Sequence, residues 1–191
     1  MPRILFRDRP LVSRRRAAVW FILSVIVFPA DTGAQRLTPE AARLQAAFLL
    51  KFPQFVEWPP AVLTARKTID ICVARPNPFE GALRELVKGE SVGARALVVR
   101  DVGPPDALDT CHVLFMSAST PDAGRLLERV KGRPVLTVGE ADGFLDDGGI
   151  IRLRFLDRRL RFDINGAAAD RGSLRLSSQL LELAVVVRGR P

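Results

Sequence analysis

The sequence predicts an α/β fold. Three observations carry that reading. β-rich apolar segments alternate with helical stretches through the middle of the chain, and the last third switches to strict apolar/charged alternation. In addition, 48% of the 191 residues are hydrophobic against 14 Gly and 14 Pro, which suits a packed core and not a disordered or collagenous chain. Strands alternating with helices argue for a Rossmann-like sandwich with a largely parallel central sheet, closed by a C-terminal antiparallel hairpin. At roughly 100–200 residues per domain, one domain is expected over residues 35–191, behind an export segment.

The first 34 residues read as an address. Arg3, Arg7, Arg9, Arg14, Arg15 and Arg16 precede an apolar run from Ala17 to Ala30, and Thr32-Gly33-Ala34 stands before Gln35. A positive stretch, an apolar stretch and a small-x-small site are the order of a cleaved secretory signal, which puts the mature start at Gln35. A retained anchor is the alternative, but a spanning helix needs about 20 apolar residues, and this run is shorter and contains Pro29. Ser13-Arg14-Arg15 leaves twin-arginine export open; the following Arg16-Ala17-Ala18 lacks the hydrophobic pair of such signals, which favours the general secretory route. The formal charge of +8 invites a nucleic-acid reading, yet residues 1–34 hold six Arg against Asp8 and Asp31. That leaves 29 − 6 = 23 basic and 21 − 2 = 19 acidic groups, or +4, in the exported part. Outside the cytoplasm nucleic acid is not an expected partner, and the cleaved protein is not expected to span a membrane.

Thr38-Pro39-Glu40 is a helix start: a capping hydroxyl, proline at the first helical position and an acid suited to the helix dipole. The helix runs through Leu44, Ala47 and Phe48 toward Phe55, with Pro53 imposing a kink or an early end. Helical spacing puts Phe48, Phe52 and Phe55 along one stripe, expected in the core, while Trp58-Pro59-Pro60 at the exit offers a contact surface. Strands are expected at Ile69–Ala74, Ala96–Arg100, Val113–Met116 and Pro134–Val138, and helices at Pro78–Lys88 and Pro121–Lys131; in the latter, Leu126, Leu127 and Val130 share a face. Ile151, Leu153 and Phe155 then alternate with Arg152 and Arg154. Leu160, Phe162 and Ile164 alternate with Arg161 and Asp163. With Leu156–Arg159 as the turn, these form a hairpin with one face on the core and one charged. A short helix over Asn165–Asp170, a brief strand at Leu174–Leu176 and a last helix capped by Ser177 or Ser178 follow. On that helix Leu180, Leu183, Ala184 and Val187 share a face.

Only Cys72 and Cys111 are present. An even pair in an oxidising compartment is most simply a disulfide, which would close a loop of about 40 residues and stabilise the fold by about 4 kcal/mol on the chain-entropy account. Two separate buried thiols are the alternative. His112, the single histidine, is a poor partner for a Cys111 nucleophile because neighbours in a strand point to opposite faces. Two Cys and one His without CxxC or HxxxH spacing give no zinc pattern. No metal or cofactor is expected. No GxGxxG follows a strand, no GxxxxGK[ST] occurs, and GxSxG is absent; Gly148-Gly149 precedes a strand and reads as a turn. Asp146-Asp147 likewise reads as a turn pair. The hairpin face of Arg152, Arg154, Arg159, Arg161 and Asp163 is the one concentrated basic feature. It reads as a solvated strand face with Arg–Asp cross-strand pairing or as a site for a small anion or acidic partner.

These residues resemble the YfiR family of periplasmic proteins over about Ala41 to Val187. Phe48-Leu49-Leu50-Lys51-Phe52 with Phe55-Val56-Glu57-Trp58-Pro59 is similar to that family's opening helix, and Ile71-Cys72-Val73 to its first strand. Phe144, Gly148-Gly149-Ile150-Ile151, Arg161-Phe162-Asp163-Ile164-Asn165 and Leu174-Arg175-Leu176-Ser177-Ser178-Gln179-Leu180-Leu181-Glu182-Leu183-Ala184 resemble its C-terminal motifs. Asp163 stands where the family more often has Glu, which keeps the charge. The resemblance implies a non-enzymatic, dimeric periplasmic protein that restrains a membrane-bound diguanylate cyclase by binding its periplasmic sensor domain, so lowering cyclic di-GMP and biofilm formation. It also implies that Cys72 and Cys111 are a structural, redox-responsive pair, and that some members serve sensor kinases or outer-membrane receptors. Expected contact residues are Trp58, Arg152, Arg154, Arg161 and Asp163. The competing expectation is a small-ligand-binding protein for an anionic or aromatic metabolite, using the Arg face and a crevice at the carboxyl ends of the strands.

Overall fold

The computed structural model describes residues 38–64, 66–103 and 108–189; the signal over residues 1–34 and the expected start at Gln35 lie outside the described residues. Thr38 caps helix α1 (Pro39–Lys51), its hydroxyl oxygen accepting the Ala41 N–H at 3.2 Å. Ala42, Gln45, Ala46, Leu49 and Leu50 form the buried stripe of α1. Pro53 takes effect through a change of helix type: α1 ends at Lys51 and the chain continues as a 3-10 turn, Phe52–Phe55. Strand β1 (Val56–Glu57) and helix α2 (Pro60–Thr64) lead into strand β2 (Thr68–Ala74).

Beyond β2 the order is α3 (Ala82–Leu86), β3 (Ser91–Val92), β4 (Arg95–Val102), β5 (Val113–Met116), α4 (Ala123–Val130) and β6 (Leu136–Gly139). After these come β7 (Ile151–Leu156), β8 (Arg159–Asn165), α5 (Gly166–Arg171), β9 (Arg175–Leu176), α6 (Ser178–Leu183) and β10 (Val187–Arg188). Among the described residues, eight strands make the main sheet in the order β10-β8-β7-β6-β5-β2-β4-β3, while β1 and β9 pair antiparallel apart from it. β4, β2, β5, β6 and β7 run parallel, and β8 returns antiparallel to β7. This is an α/β sandwich with a mostly parallel sheet and an antiparallel hairpin.

Both faces of β2 are buried. Ile69, Ile71 and Val73 join the core under α1, and Cys72 and Ala74 join the core under α4 with Leu114, Met116, Leu126 and Leu127, as parallel strands covered on both sides require. Phe144 sits in the α4 core against Gly139 and Gly149: a Cβ built on either glycine would fall inside the Phe144 ring's contact distance. Gly149 therefore leaves room for a ring, while Gly148, at a φ of 93°, turns the chain.

The structure departs from the sequence expectations at several helix limits. α3 covers Ala82–Leu86 and not Pro78–Lys88, because Glu80 and Gly81 take positive φ of 45° and 93° and start the helix late. α4 is likewise shorter than Pro121–Lys131. The last helix stops at Leu183 and does not carry Val187 on its face: Ala184 is extended, and Val187 pairs with Ile164 of β8. Three consecutive β-branched residues, Val185 to Val187, favour the strand. The open edge of β8 accepts it, with Val185 N–H donating to Phe162 and Ile164 N–H donating to Val186 at 2.9 and 2.8 Å. The hairpin turn is tighter than Leu156–Arg159. Pairing continues to Leu156↔Arg159, and Asp157 and Arg158 alone turn the chain, both at positive φ, as a two-residue type I′ turn needs.

Gly149→Ala is expected to cost about 1–3 kcal/mol by overpacking, read as a lower urea midpoint with unchanged slope. Adding Phe144→Leu, which shortens the opposing ring, should recover part of the loss.

Candidate functional site

Four features bring side chains of distant segments together. First, Cys72 lies mid-strand in β2 beside Leu114 of β5, and Cys111 precedes β5. The two are bonded, with Cα atoms 5.7 Å apart across 39 positions of sequence, and both are buried. The bond joins neighbouring strands at the point where the chain returns from α3, β3 and β4.

His112, next to that bond, is buried with Nδ1 accepting the Asp70 N–H at 3.1 Å, while its own N–H donates to the Asp70 carbonyl at 2.9 Å. Its Nδ1 is thus an acceptor and the neutral ring carries its proton on Nε2. Burial pushes its pKa below the ordinary 6.5, Asp70 opposes that shift, and Arg66 and Arg95 add to it. The Trp58 ring meets His112 edge to face with centroids 6.2 Å apart. Trp58 is only 6% exposed, so the residue expected at a contact surface instead belongs to the core. Asp70 is buried too, its carboxylate accepting from Thr68 Oγ1 at 2.6 Å and Arg100 Nε at 2.7 Å.

Third, the hairpin register sets Arg152 opposite Asp163 and Arg154 opposite Arg161. Asp163 gathers both guanidiniums: Arg152 Nη2 and Arg154 Nε donate to Oδ2 at 2.8 Å each, and Arg154 Nη2 donates to Oδ1 at 3.1 Å. Arg152 Nη1 also donates to the Asp142 carbonyl at 2.8 Å. The Arg–Asp pairing is present, but this part of the face is not solvated: Asp163 is 2% exposed, and the side chains of Arg152 and Arg154 are 19% and 27% exposed. Arg161 and Arg159 point outward and have no carboxylate partner among the described residues. Of the five expected contact residues, Arg161 alone is freely offered to a partner. Arg152, Arg154 and Asp163 are spent on one another, and Trp58 lies apart from them.

The fourth feature had no place among the expected sites. α1, β8 and α6 enclose an apolar groove of about 270 Å³, lined by Leu44, Ala47, Phe48, Lys51, Phe52, Phe55, Phe162, Leu180 and Leu183. The stripe Phe48, Phe52 and Phe55 is therefore half core and half groove wall. Leu44 and Leu183 of this lining are exposed, and Val185 and Val186 follow α6 directly; these are four of the seven large apolar residues left exposed among the described residues. The alternation in β8 and the face of α6 carried the signal in sequence, but periodicity cannot tell a covered apolar face from an open one. A larger cavity of about 450 Å³ opens between α4, α5 and the β6–β7 connection. Its charges largely answer each other, Lys131 with Glu128, Arg133 with Asp109 and Asp146 with Arg188.

No described helix is long and apolar enough to cross a membrane, and no group of His, Cys, Asp and Glu among the described residues is placed to hold a metal ion. The family described as YfiR/HmsC-like matches residues 42–185. No curated protein matches the chain. A crystal structure of a conserved domain protein from Vibrio cholerae O1 biovar eltor is similar at 12% identity and a TM-score of 0.43, over 77% of this chain and 60% of that one; the chain thus spans about three fifths of that protein's length.

Asp163→Ala leaves two part-buried guanidiniums without their shared carboxylate, and a loss of about 3–5 kcal/mol is expected in denaturant melts. Arg161→Ala should stay within about 0.5 kcal/mol of the parent. Because the folded pKa of His112 lies below the unfolded one, the unfolded chain takes up the proton first. Stability is then full above pH 6.5 and falls as pH drops through the interval down to the folded pKa. Melting temperatures from pH 7.5 to 5 should show this fall, and His112→Asn should remove the part of it that belongs to this ring.

Proposed function

The chain belongs to the YfiR/HmsC-like family, and from that premise we propose that it is a periplasmic regulatory protein acting by binding and not by catalysis. Exported by its N-terminal signal and working as a homodimer, it restrains a membrane-bound diguanylate cyclase, or a sensor kinase, by holding that enzyme's periplasmic sensor domain, and so lowers cyclic di-GMP signalling. The observation that carries the reading is the apolar face around α1 and α6. Monomeric proteins rarely leave large apolar side chains contiguous at the surface, and such faces mark interaction sites. Leu183 is 60% exposed and Val185 45%, a cost in water that a docked partner removes. The buried disulfide supports an oxidising compartment. Restraint then needs only unequal affinity: a protein that binds the inactive conformation of a sensor domain more tightly than the active one shifts the domain toward inactivity. Arg161, free at the hairpin, is available to an acidic group on the partner's rim.

Tagged protein recovered with solubilised membranes should bring a sensor-bearing cyclase or kinase with it. The double change Leu183→Lys and Val186→Lys, at two exposed positions, should cut that recovery about tenfold, or about 1.4 kcal/mol, with an unchanged melting temperature. Recovery without such an enzyme, or recovery indifferent to both lysines, would sink the assignment.

A further inference from the structure

We propose that the groove between α1, β8 and α6 is a binding site for a short amphiphilic carboxylate, a molecule with an apolar body and one carboxylate head. The walls are apolar: Phe48, Phe52 and Phe162 form a preassembled triad, with ring centroids 6.2, 6.3 and 5.4 Å apart and edge-to-face planes, and Leu180 and Leu183 close the other side. Edge-to-face rings hold one another in place, so a guest meets a formed wall. Lys51 is the one charged residue in the lining. It is exposed, at the last turn of α1, and no carboxylate pairs with it among the described residues, whereas Lys88 and Lys131 each hold a glutamate at 2.7 and 2.9 Å.

An apolar slot with a single unspent cation at its wall complements a guest of the same layout: the hydrophobic effect takes the body and Lys51 takes the head. Size narrows the class further. The groove holds about 270 Å³, below the roughly 300–1,000 Å³ of sites for drug-sized ligands, so the body is a short alkyl chain or one ring and not a full-length lipid tail. The site is separate from the Arg152–Asp163–Arg154 cluster, whose charges are already used, and it would be present even if the surrounding face binds no sensor domain.

Calorimetry on the purified exported chain tests this with decanoate, decyltrimethylammonium and acetate, each below any micellar concentration. Decanoate should bind at one site and raise the melting temperature, while acetate, lacking the body, and decyltrimethylammonium, carrying the opposite head, should bind at least about tenfold more weakly. Lys51→Glu, a surface change, should lower decanoate affinity by about tenfold or more, and Leu183→Lys at the groove edge should lower it as well, both with circular dichroism unchanged. Absence of decanoate binding, equal binding of the cationic amphiphile, or indifference to both Lys51→Glu and Leu183→Lys would overturn the proposal. None of these readings involves a protein partner, so a failure here is distinct from a failure to recover a sensor enzyme.

Discussion

The bond between Cys72 and Cys111 secures the joint on which the sheet is built. β2 lies between β4, which follows it, and β5, to which the chain returns after crossing back. Everything from α3 to β4 is an excursion closed by that one bond. Long-range parallel pairing carries a large loop-closure cost, because the loop must be ordered before the ladder forms. A covalent link restricting the unfolded chain lowers that cost by about 4 kcal/mol for a loop of this length. His112 extends the same joint into hydrogen bonding: it exchanges two bonds with Asp70 of β2, so the return to β5 is pinned by a sulfur bridge and, one residue later, by the histidine's backbone and ring.

At the other end of the sheet, electrostatics does comparable work for the hairpin. Arg154 faces Arg161 across the ladder, an arrangement that is unfavourable for like charges. Asp163 draws Arg152 and Arg154 together on its carboxylate and leaves Arg161 to solvent. The opposite face of the same two strands delivers Leu153, Leu160, Phe162 and Ile164 to the core under α1. Charge pairing on one face thus positions Phe162 on the other, where it meets Phe48 and Phe52. The groove at α1 and α6 depends in this way on a cluster behind it that it never touches.

Much of the architecture was legible from local pattern. Thr38-Pro39 marks the first helix, the strand Val113–Met116 is legible to the residue, and the alternation from Ile151 to Ile164 gives the hairpin and the face each side chain takes, since a one-residue slip would turn every side chain over. Helix limits were less legible because they answer to tertiary neighbours. Val185–Val187 is short enough to read either way, and only the open edge of β8 makes it a strand. Trp58 beside two prolines reads as a surface element, but it is buried in the core under α1 and meets His112, more than fifty residues away in sequence. The Phe48, Phe52 and Phe55 stripe was recognised as apolar, but nothing local states how much of it a neighbour covers.

From residue types and spacings alone came the class of fold, the pairing of two cysteines as the simplest expectation, the missing catalytic motifs and the likeness to a family confirmed over residues 42–185. These depend on period, composition and short motifs, which a linear chain states directly. The tertiary structure alone decided that Asp163, Arg152 and Arg154 satisfy one another, that Trp58 is core, and that an apolar groove beside Lys51 stays open. Each is a question of which surfaces meet and which charges remain after pairing, and distant segments settle that only once they are packed together.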